Sequence, residues 1–167
     1  MRNSDAYAAA AALGVLAGMR SMAAPAVLGR LSRNGSLAAV KGPLTVITKP
    51  GFAGAAMLLS LGELVADKLP ITPNRTAAGP LLGRALMGGL SGAAVCSSKR
   101  RSVPIGAFIG AAAAIAAAYG AYELRKAIGQ KTRLPDAVIG IAEDVMVGSL
   151  GAALLSRLTD DAELLAS

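Results

Sequence analysis

The chain has 167 residues, of which 54% are apolar and 16% are charged, and its formal net charge is +7. A soluble domain of this size needs more polar surface than that, so the composition is typical of an integral membrane protein. The sequence contains no histidine and a single cysteine, Cys96. These counts exclude a histidine-based catalytic triad, a zinc site with histidine ligands and an intrachain disulfide.

Five apolar segments follow one another along the chain, at residues 6–28, 50–66, 78–95, 103–122 and 137–155. A helix needs roughly 20 apolar residues to cross about 30 Å of hydrocarbon. Only the fourth segment keeps such a length free of charge, and we expect the third to be short or re-entrant. The pattern predicts an all-α fold, a polytopic transmembrane bundle of four or five hydrophobic helices that forms one domain over residues 1–167.

The first segment carries an arginine and a proline within its apolar run, Arg20 and Pro25. Proline removes a backbone hydrogen bond from a helix and kinks or breaks it. We therefore expect Pro25 to kink the first helix about one turn beyond Arg20, and a membrane interior tolerates such a break only where protein or water satisfies the freed carbonyls.

Residues 6–69 and residues 78–127 resemble each other and form a weak internal repeat of two units. Arg20 in the first unit is echoed by Arg84 in the second, and Glu63 near the end of the first is echoed by Glu123. Each unit would cross the membrane twice, so the crossing count predicts a parallel repeat followed by a final helix at residues 136–158.

Ionisable residues inside the apolar segments are the candidate functional residues. A charge at mid-bilayer costs on the order of 3 kcal/mol on insertion scales, so it normally faces a partner or water. Helical spacing places these charges on or beside seams of glycine, where helices pack most closely. We expect them to point into the bundle as a transport site or buried charge network: Arg20, Glu63, Asp67, Arg84, Glu123, Asp136, Glu143 and Asp144.

Two interpretations of these charges stay open. In the first, Arg20 and Arg84 neutralise Glu63, Glu123 or the Glu143 and Asp144 pair and only fix the helix register. In the second, the acids outnumber the arginines, and neighbouring carboxylates in a low dielectric share protons. The most specific hypothesis pairs Arg20 with Glu63 and Asp67, which lie one helical turn apart on one face.

The basic charge is distributed in ones and twos, apart from residues 99–101, and aromatic residues make up 3% of the chain. Nucleic-acid binding needs a basic stripe with stacking side chains, so we expect no nucleic-acid partner. The cations flank apolar segments and fit contact with anionic lipid headgroups. On a five-helix arrangement they divide almost equally between the two sides, which predicts a homo-oligomer, such as a dimer of antiparallel copies.

Four sequence elements together resemble a known family. They are residues 18–21 followed by Pro25, residues 62–70 with Pro73 and Arg75, the Gly83 and Arg84 pair, and Asp136 with Glu143 and Asp144. They are similar to a widespread bacterial family of small integral membrane proteins that is known only as a domain of unknown function. The resemblance implies a multi-pass inner-membrane protein and supplies no activity.

Two functions remain as expectations. A proton- or cation-coupled transporter or channel for a small solute would use inward-facing carboxylates beside a kinked helix. A structural or anionic-lipid-binding protein would use the same charges as register-fixing pairs. We expect no enzymatic activity, cofactor or metal site, because no nucleophile or ligand set accompanies the acids.

Overall fold

The computed structural model describes residues 3–37, 40, 42–49, 51–52, 54–55, 58, 78–131 and 136–164, and the regular elements among them are all helical. The protein is therefore an all-α helical bundle, as the sequence predicts. The elements in chain order are α1 (Asn3–Met19), α2 (Ala23–Arg33), a 3₁₀ helix (Gly42–Thr48), α3 (Ala78–Ser98), α4 (Val103–Lys131) and α5 (Asp136–Leu164).

Helices α1, α3 and α4 form the core of the bundle. Arg84, near the start of α3, contacts Gly18 at the end of α1, and Cys96 near the end of α3 lies beside Ala6. These two contacts make α3 antiparallel to α1. Helix α4 runs parallel to α1, since Gly110 lies beside Gly14 and Ala114 beside Gly18.

Glycines bring these three helices close together. A Cβ atom built on Gly88 of α3 would stand 2.6 Å from the carbonyl oxygen of Gly110 on α4, and one on Gly106 would stand 2.7 Å from Cβ of Cys96. Only a residue without a side chain fits such an approach, and backbone packing of this kind is typical of helices that associate in membranes. The largest fully buried side chains around these seams include Leu13, Leu16 and Val95.

Helix α5 lies against α1 and α2 and has few contacts with α4. It is antiparallel to α1, because Asp144 near its start contacts Arg20 while Asp160 near its end lines a groove with Asp5. The first turn of α1 and the last turns of α5 are therefore at the same end of the bundle.

The first apolar segment is two helices rather than one kinked helix. Helix α1 ends at Met19 and α2 begins at Ala23. Position 25 is within the first turn of α2, which tolerates proline, whereas a continuous helix would require Pro25 to donate to the carbonyl of Ser21. The chain therefore breaks at residues 20–22, at Arg20 itself and not one turn beyond it.

Helix α2 turns back with respect to α1. Arg20, just before α2, contacts Asp144 of α5, and Val27 within α2 lies 3.5 Å from the Cβ position of Gly151. Both chains advance by seven residues between these two contacts, so α2 and α5 run in the same direction. Since α5 is antiparallel to α1, a helix that follows α5 in the same direction runs opposite to α1.

Two further expectations about the segments differ from the structure. The third segment is an unbroken helix of 21 residues, α3, so it is not short. Whether it is re-entrant stays a prediction, since α3 is not one of the two described helices that are long and apolar enough to cross a membrane. The fourth was expected to end at Tyr122, but α4 continues to Lys131. The second segment, 50–66, lies largely outside the described residues.

The antiparallel arrangement of α1 and α3 changes two inferences from the sequence. If the two repeat units are related, their first helices have opposite directions, so the relation would be inverted and not parallel. The nearly equal division of cations counted for five helices assumed that α1 and α3 are parallel, so that count does not carry over to this arrangement. The repeat and the homo-oligomer themselves stay predictions.

Two of the described helices have the length and hydropathy that crossing a membrane requires, Val103–Gln130 and Val138–Asp160. Both expose large apolar side chains: Phe108 on α4 is 75% exposed and Val145 on α5 is 64% exposed. The same is true of Leu82 and Leu86 on α3. Three of the described helices, α3, α4 and α5, therefore expose large apolar side chains at the outer surface.

Candidate functional site

The break between α1 and α2 lies inside the bundle. The amide of Arg20 donates to the carbonyl of Leu16 at 2.8 Å, and the amide of Ala23 donates to the carbonyl of Arg20 at 3.1 Å. Arg20 is only 8% exposed, and Met19 and Ala24 beside the break are also buried. A charged side chain is thus held at an interrupted helix, surrounded by protein.

Arg20 forms an ion pair with Asp144 of α5. Its Nη2 atom donates to Oδ1 of Asp144, and the two side chains are 9% and 17% exposed. A buried charge is stable only when it is paired and hydrogen-bonded. This contact therefore ties the end of α1 to α5.

Arg84 reaches the same end of α1 from α3. Its Nη1 atom donates to the carbonyl oxygen of Gly18 at 3.0 Å, and the residue is 5% exposed. The last carbonyls of a helix have no partner within the helix and carry partial negative charge. The guanidinium of Arg84 supplies both a hydrogen bond and a positive charge there.

A second ion pair links α5 to α4. Nη1 of Arg125 lies 3.4 Å from Oε2 of Glu143, and the side chains are 20% and 14% exposed. The Cβ position of Gly140 is 3.5 Å from Nη2 of Arg125, so the guanidinium lies over a glycine of α5. The adjacent acids Glu143 and Asp144 thus face different helices, each toward an arginine.

A small apolar cavity of about 130 Å³ adjoins the second pair. It lies between α4 and α5, and Glu143 and Arg125 line it together with Ala121, Leu124, Ile128, Ile139, Ala142 and Met146. Its walls are otherwise apolar, so the two charged groups are its polar contacts. The Glu143 carboxylate is therefore placed at the edge of a space between two helices.

Of the remaining residues that the sequence singled out, Glu123 is the one whose side chain the structure describes. Glu63 and Asp67 lie outside the described residues, so the hypothesis that they pair with Arg20 stays a prediction. Asp136 begins α5, and nothing is described of its side chain. Glu123 is exposed on α4.

Arg125 is the site residue that sequence reasoning missed. It was counted among the loop cations because the fourth apolar segment was taken to end at Tyr122. The missed signal is helix propensity, since residues 123–131 contain good helix formers and no proline. Extending the helix would have placed Arg125 across from the acids of the last segment.

The described residues include no group of three or more histidine, cysteine, aspartate or glutamate side chains that could hold a metal ion. What the site can do chemically follows from its charged groups. The two ion pairs are partly shielded from water, and their arginines and carboxylates can exchange partners.

Comparison with protein families places most of the chain in one of them. The model of DUF4126, described as a domain of unknown function, matches residues 7–156 of the 167. The matched range includes both ion pairs and the break between α1 and α2. No curated protein and no solved structure matches the chain.

Proposed function

Because the chain belongs to the DUF4126 family of unknown function, we propose a function from its geometry: a multi-pass inner-membrane protein that carries a small solute coupled to a proton or another cation. The ion pairs of α5 would open and close during each cycle. The single observation that carries this proposal is the Arg20 and Asp144 pair at a buried helix break.

The membrane placement is supported by the outer surface of the bundle. Side chains such as Phe108, Leu82 and Val145 are more than half exposed on three different helices. Soluble monomers rarely expose apolar patches of this extent, whereas hydrocarbon solvates them without cost. The glycine seams between α1, α3 and α4 also suit a bilayer, where close packing drives helix association.

The ion pair supports transport because of where it lies. Ionisable residues within membrane helices mark ion and substrate pathways by default, and broken helices form the binding sites of many transporters. A proton on Asp144 removes the negative charge that holds Arg20, so proton binding would weaken the contact between α5 and the break.

The packing of the bundle suits movement of α5. Helices α1, α3 and α4 are locked by backbone contacts at Gly14, Gly88 and Gly110. Helix α5 has few contacts with α4 and meets it around an ion pair and a small cavity. Opening of the two ion pairs would let α5 shift against a rigid three-helix unit, which is a common form of alternating access.

The test is charge movement in proteoliposomes when mixtures of amino acids, sugars, organic acids or metal cations are added across a pH gradient. We expect the unmodified protein to give a transient with one of these mixtures and Asp144→Asn to abolish it. Glu123→Gln, which neutralises an exposed acid on α4, is the matched control and should keep it. Absence of a transient with every mixture, or equal transients from Asp144→Asn and the unmodified protein, would overturn the proposal.

A second candidate is a structural or lipid-binding membrane protein without transport. The pairing of both Glu143 and Asp144 with arginines favours it, because paired charges fix helix register. In that case the unmodified protein would give no charge movement in proteoliposomes, and neutral substitutions at Arg20 and Asp144 would only lower stability. We propose no enzymatic step for either candidate.

A further inference from the structure

An open groove runs between α2 and α5 on the side of the bundle away from α3 and α4. Its volume is about 470 Å³, and its lining is almost entirely apolar. The lining residues from α1 and α2 are Leu16, Ala23, Ala26, Val27 and Arg30, and those from α5 are Val147, Gly148, Gly151, Ala152 and Leu155.

One charge lies in this groove. Arg30 is exposed in the last turn of α2, beside exposed Arg33, and it is the one ionisable side chain among the described residues that line the groove. Small residues, Gly148, Gly151 and Ala152, form the middle of the α5 wall, so the space there remains open to a long, thin apolar group. A Cβ atom at Gly148 would have no neighbour within 4 Å.

The groove has one inner end and one outer end. Its inner end, at Ala23 and Val147, is close to the Arg20 and Asp144 pair. From Val147 to Leu155 the groove follows α5 for about 12 Å. Beyond Leu155 the apolar run of α5 gives way to Arg157 and Asp160, so Arg30 lies where α5 would leave the hydrocarbon.

We propose that this groove binds one acyl chain of an anionic phospholipid, with the lipid phosphate on Arg30. An apolar channel with a single cation at its outer end complements a molecule that has a hydrocarbon tail and a negative head. A helix of a second copy fits less well, because packed helix axes stand 8–10 Å apart (about one helix diameter). Val27 of α2 lies 3.5 Å from the Cβ position of Gly151 of α5, so α2 and α5 are in contact at the floor of the groove and leave no room for a helix between them. The inference rests on the membrane placement in the proposed function and not on transport.

The absence of tryptophan from the chain permits a direct test. Ser156 is exposed on α5 one turn beyond Ala152, so Ser156→Trp places a single fluorophore at the mouth of the groove. The protein is reconstituted in phosphatidylcholine vesicles that contain a small fraction of phosphatidylglycerol, and the acyl chains of one lipid or the other are brominated. Brominated chains quench a tryptophan that they touch.

We expect brominated phosphatidylglycerol to quench the introduced tryptophan more strongly than brominated phosphatidylcholine does. The affinity of the site for phosphatidylglycerol should be roughly tenfold higher, because a hydrogen bond to a charged group contributes about that factor. Arg30→Gln should abolish the preference. Gly148→Leu should also abolish it by filling the groove. Arg157→Gln, which removes an exposed cation near the same end of α5 but outside this groove, should leave it unchanged.

Equal quenching by both lipids would overturn the lipid site, and so would a preference that survives Arg30→Gln or falls equally with Arg157→Gln. Quenching by neither lipid would instead contradict the membrane placement. The two failures are therefore distinguishable in one experiment.

Discussion

Gly110→Ala is the substitution with the clearest expected effect on stability. Its Cβ atom would stand 2.9 Å from the carbonyl carbon of Gly88 and 3.3 Å from the Cα atom of Gly92, and closer still to the carbonyl oxygen of Gly88. All of these are backbone atoms of α3, so no side chain can rotate away. Helices α3 and α4 must separate to admit the methyl group.

The magnitude follows from two opposing effects. Overpacking a close interface costs about 1–3 kcal/mol, whereas replacing glycine by alanine within a helix contributes roughly 0.5–1 kcal/mol. Gly120→Ala isolates the second effect, because Gly120 lies on the same helix and its Cβ position has no neighbour within 4 Å. The two variants should therefore differ by the overpacking cost.

The assay is thermal unfolding of the purified protein in mild detergent, followed by circular dichroism. A difference of about 2 kcal/mol corresponds to roughly 4–8 °C in Tm for a chain of this size. Gly110→Ala should unfold below the unmodified protein and Gly120→Ala at or above it. Equal Tm values for the two variants would refute the close packing of α3 against α4.

Three further predictions concern other parts of the bundle. Arg84→Gln should destabilise the protein by about 1–3 kcal/mol, because it weakens the hydrogen bond to the carbonyl of Gly18, while Arg100→Gln in the exposed turn between α3 and α4 should change Tm little. Cys96 is fully buried, so a maleimide should label it only after unfolding, whereas Ser98→Cys should react sooner in a Cys96→Ala background; equal labelling rates would contradict this burial. Reporters fused to the two chain ends should face the same side of the membrane, since α1 begins where α5 ends, and opposite sides would contradict the antiparallel arrangement of these helices.

The features of the fold that depend on local hydropathy and charge could be predicted from the sequence. Long apolar runs predicted the helices, and the cost of an isolated charge in an apolar segment predicted that Arg20 and Arg84 are buried beside glycine seams. Glycines do lie where the helices approach most closely, since Gly88 of α3 and Gly110 of α4 meet each other.

The contacts between distant segments could not be predicted in the same way. Apolar periodicity gives no direction to a helix, so nothing in the sequence indicated that the chain reverses at the break before Pro25. Nor did anything indicate the antiparallel packing of α5 against α1, which brings Arg20 to Asp144, 124 residues away. The hydrogen bond from Arg84 to the carbonyl of Gly18 could not be predicted either, because every residue has a backbone carbonyl and the sequence does not indicate which one an arginine contacts.

The end of α4 was missed for a different reason. Hydropathy falls after Tyr122, but the helix continues because its backbone hydrogen bonds do not depend on apolar side chains. Arg125 is therefore on a helix and not in a loop, within reach of Glu143.

The central claim is that Arg20 at the helix break and Asp144 on α5 act as a pair. A double-mutant cycle with Arg20→Gln, Asp144→Asn and both together, measured as free energies of unfolding in detergent, tests it most directly. Each single variant leaves a charge without its partner at a cost of about 3–5 kcal/mol. Coupling predicts that the double variant is less destabilised than the sum of the two single variants, by about 0.5–3 kcal/mol. Strictly additive losses would contradict the pair.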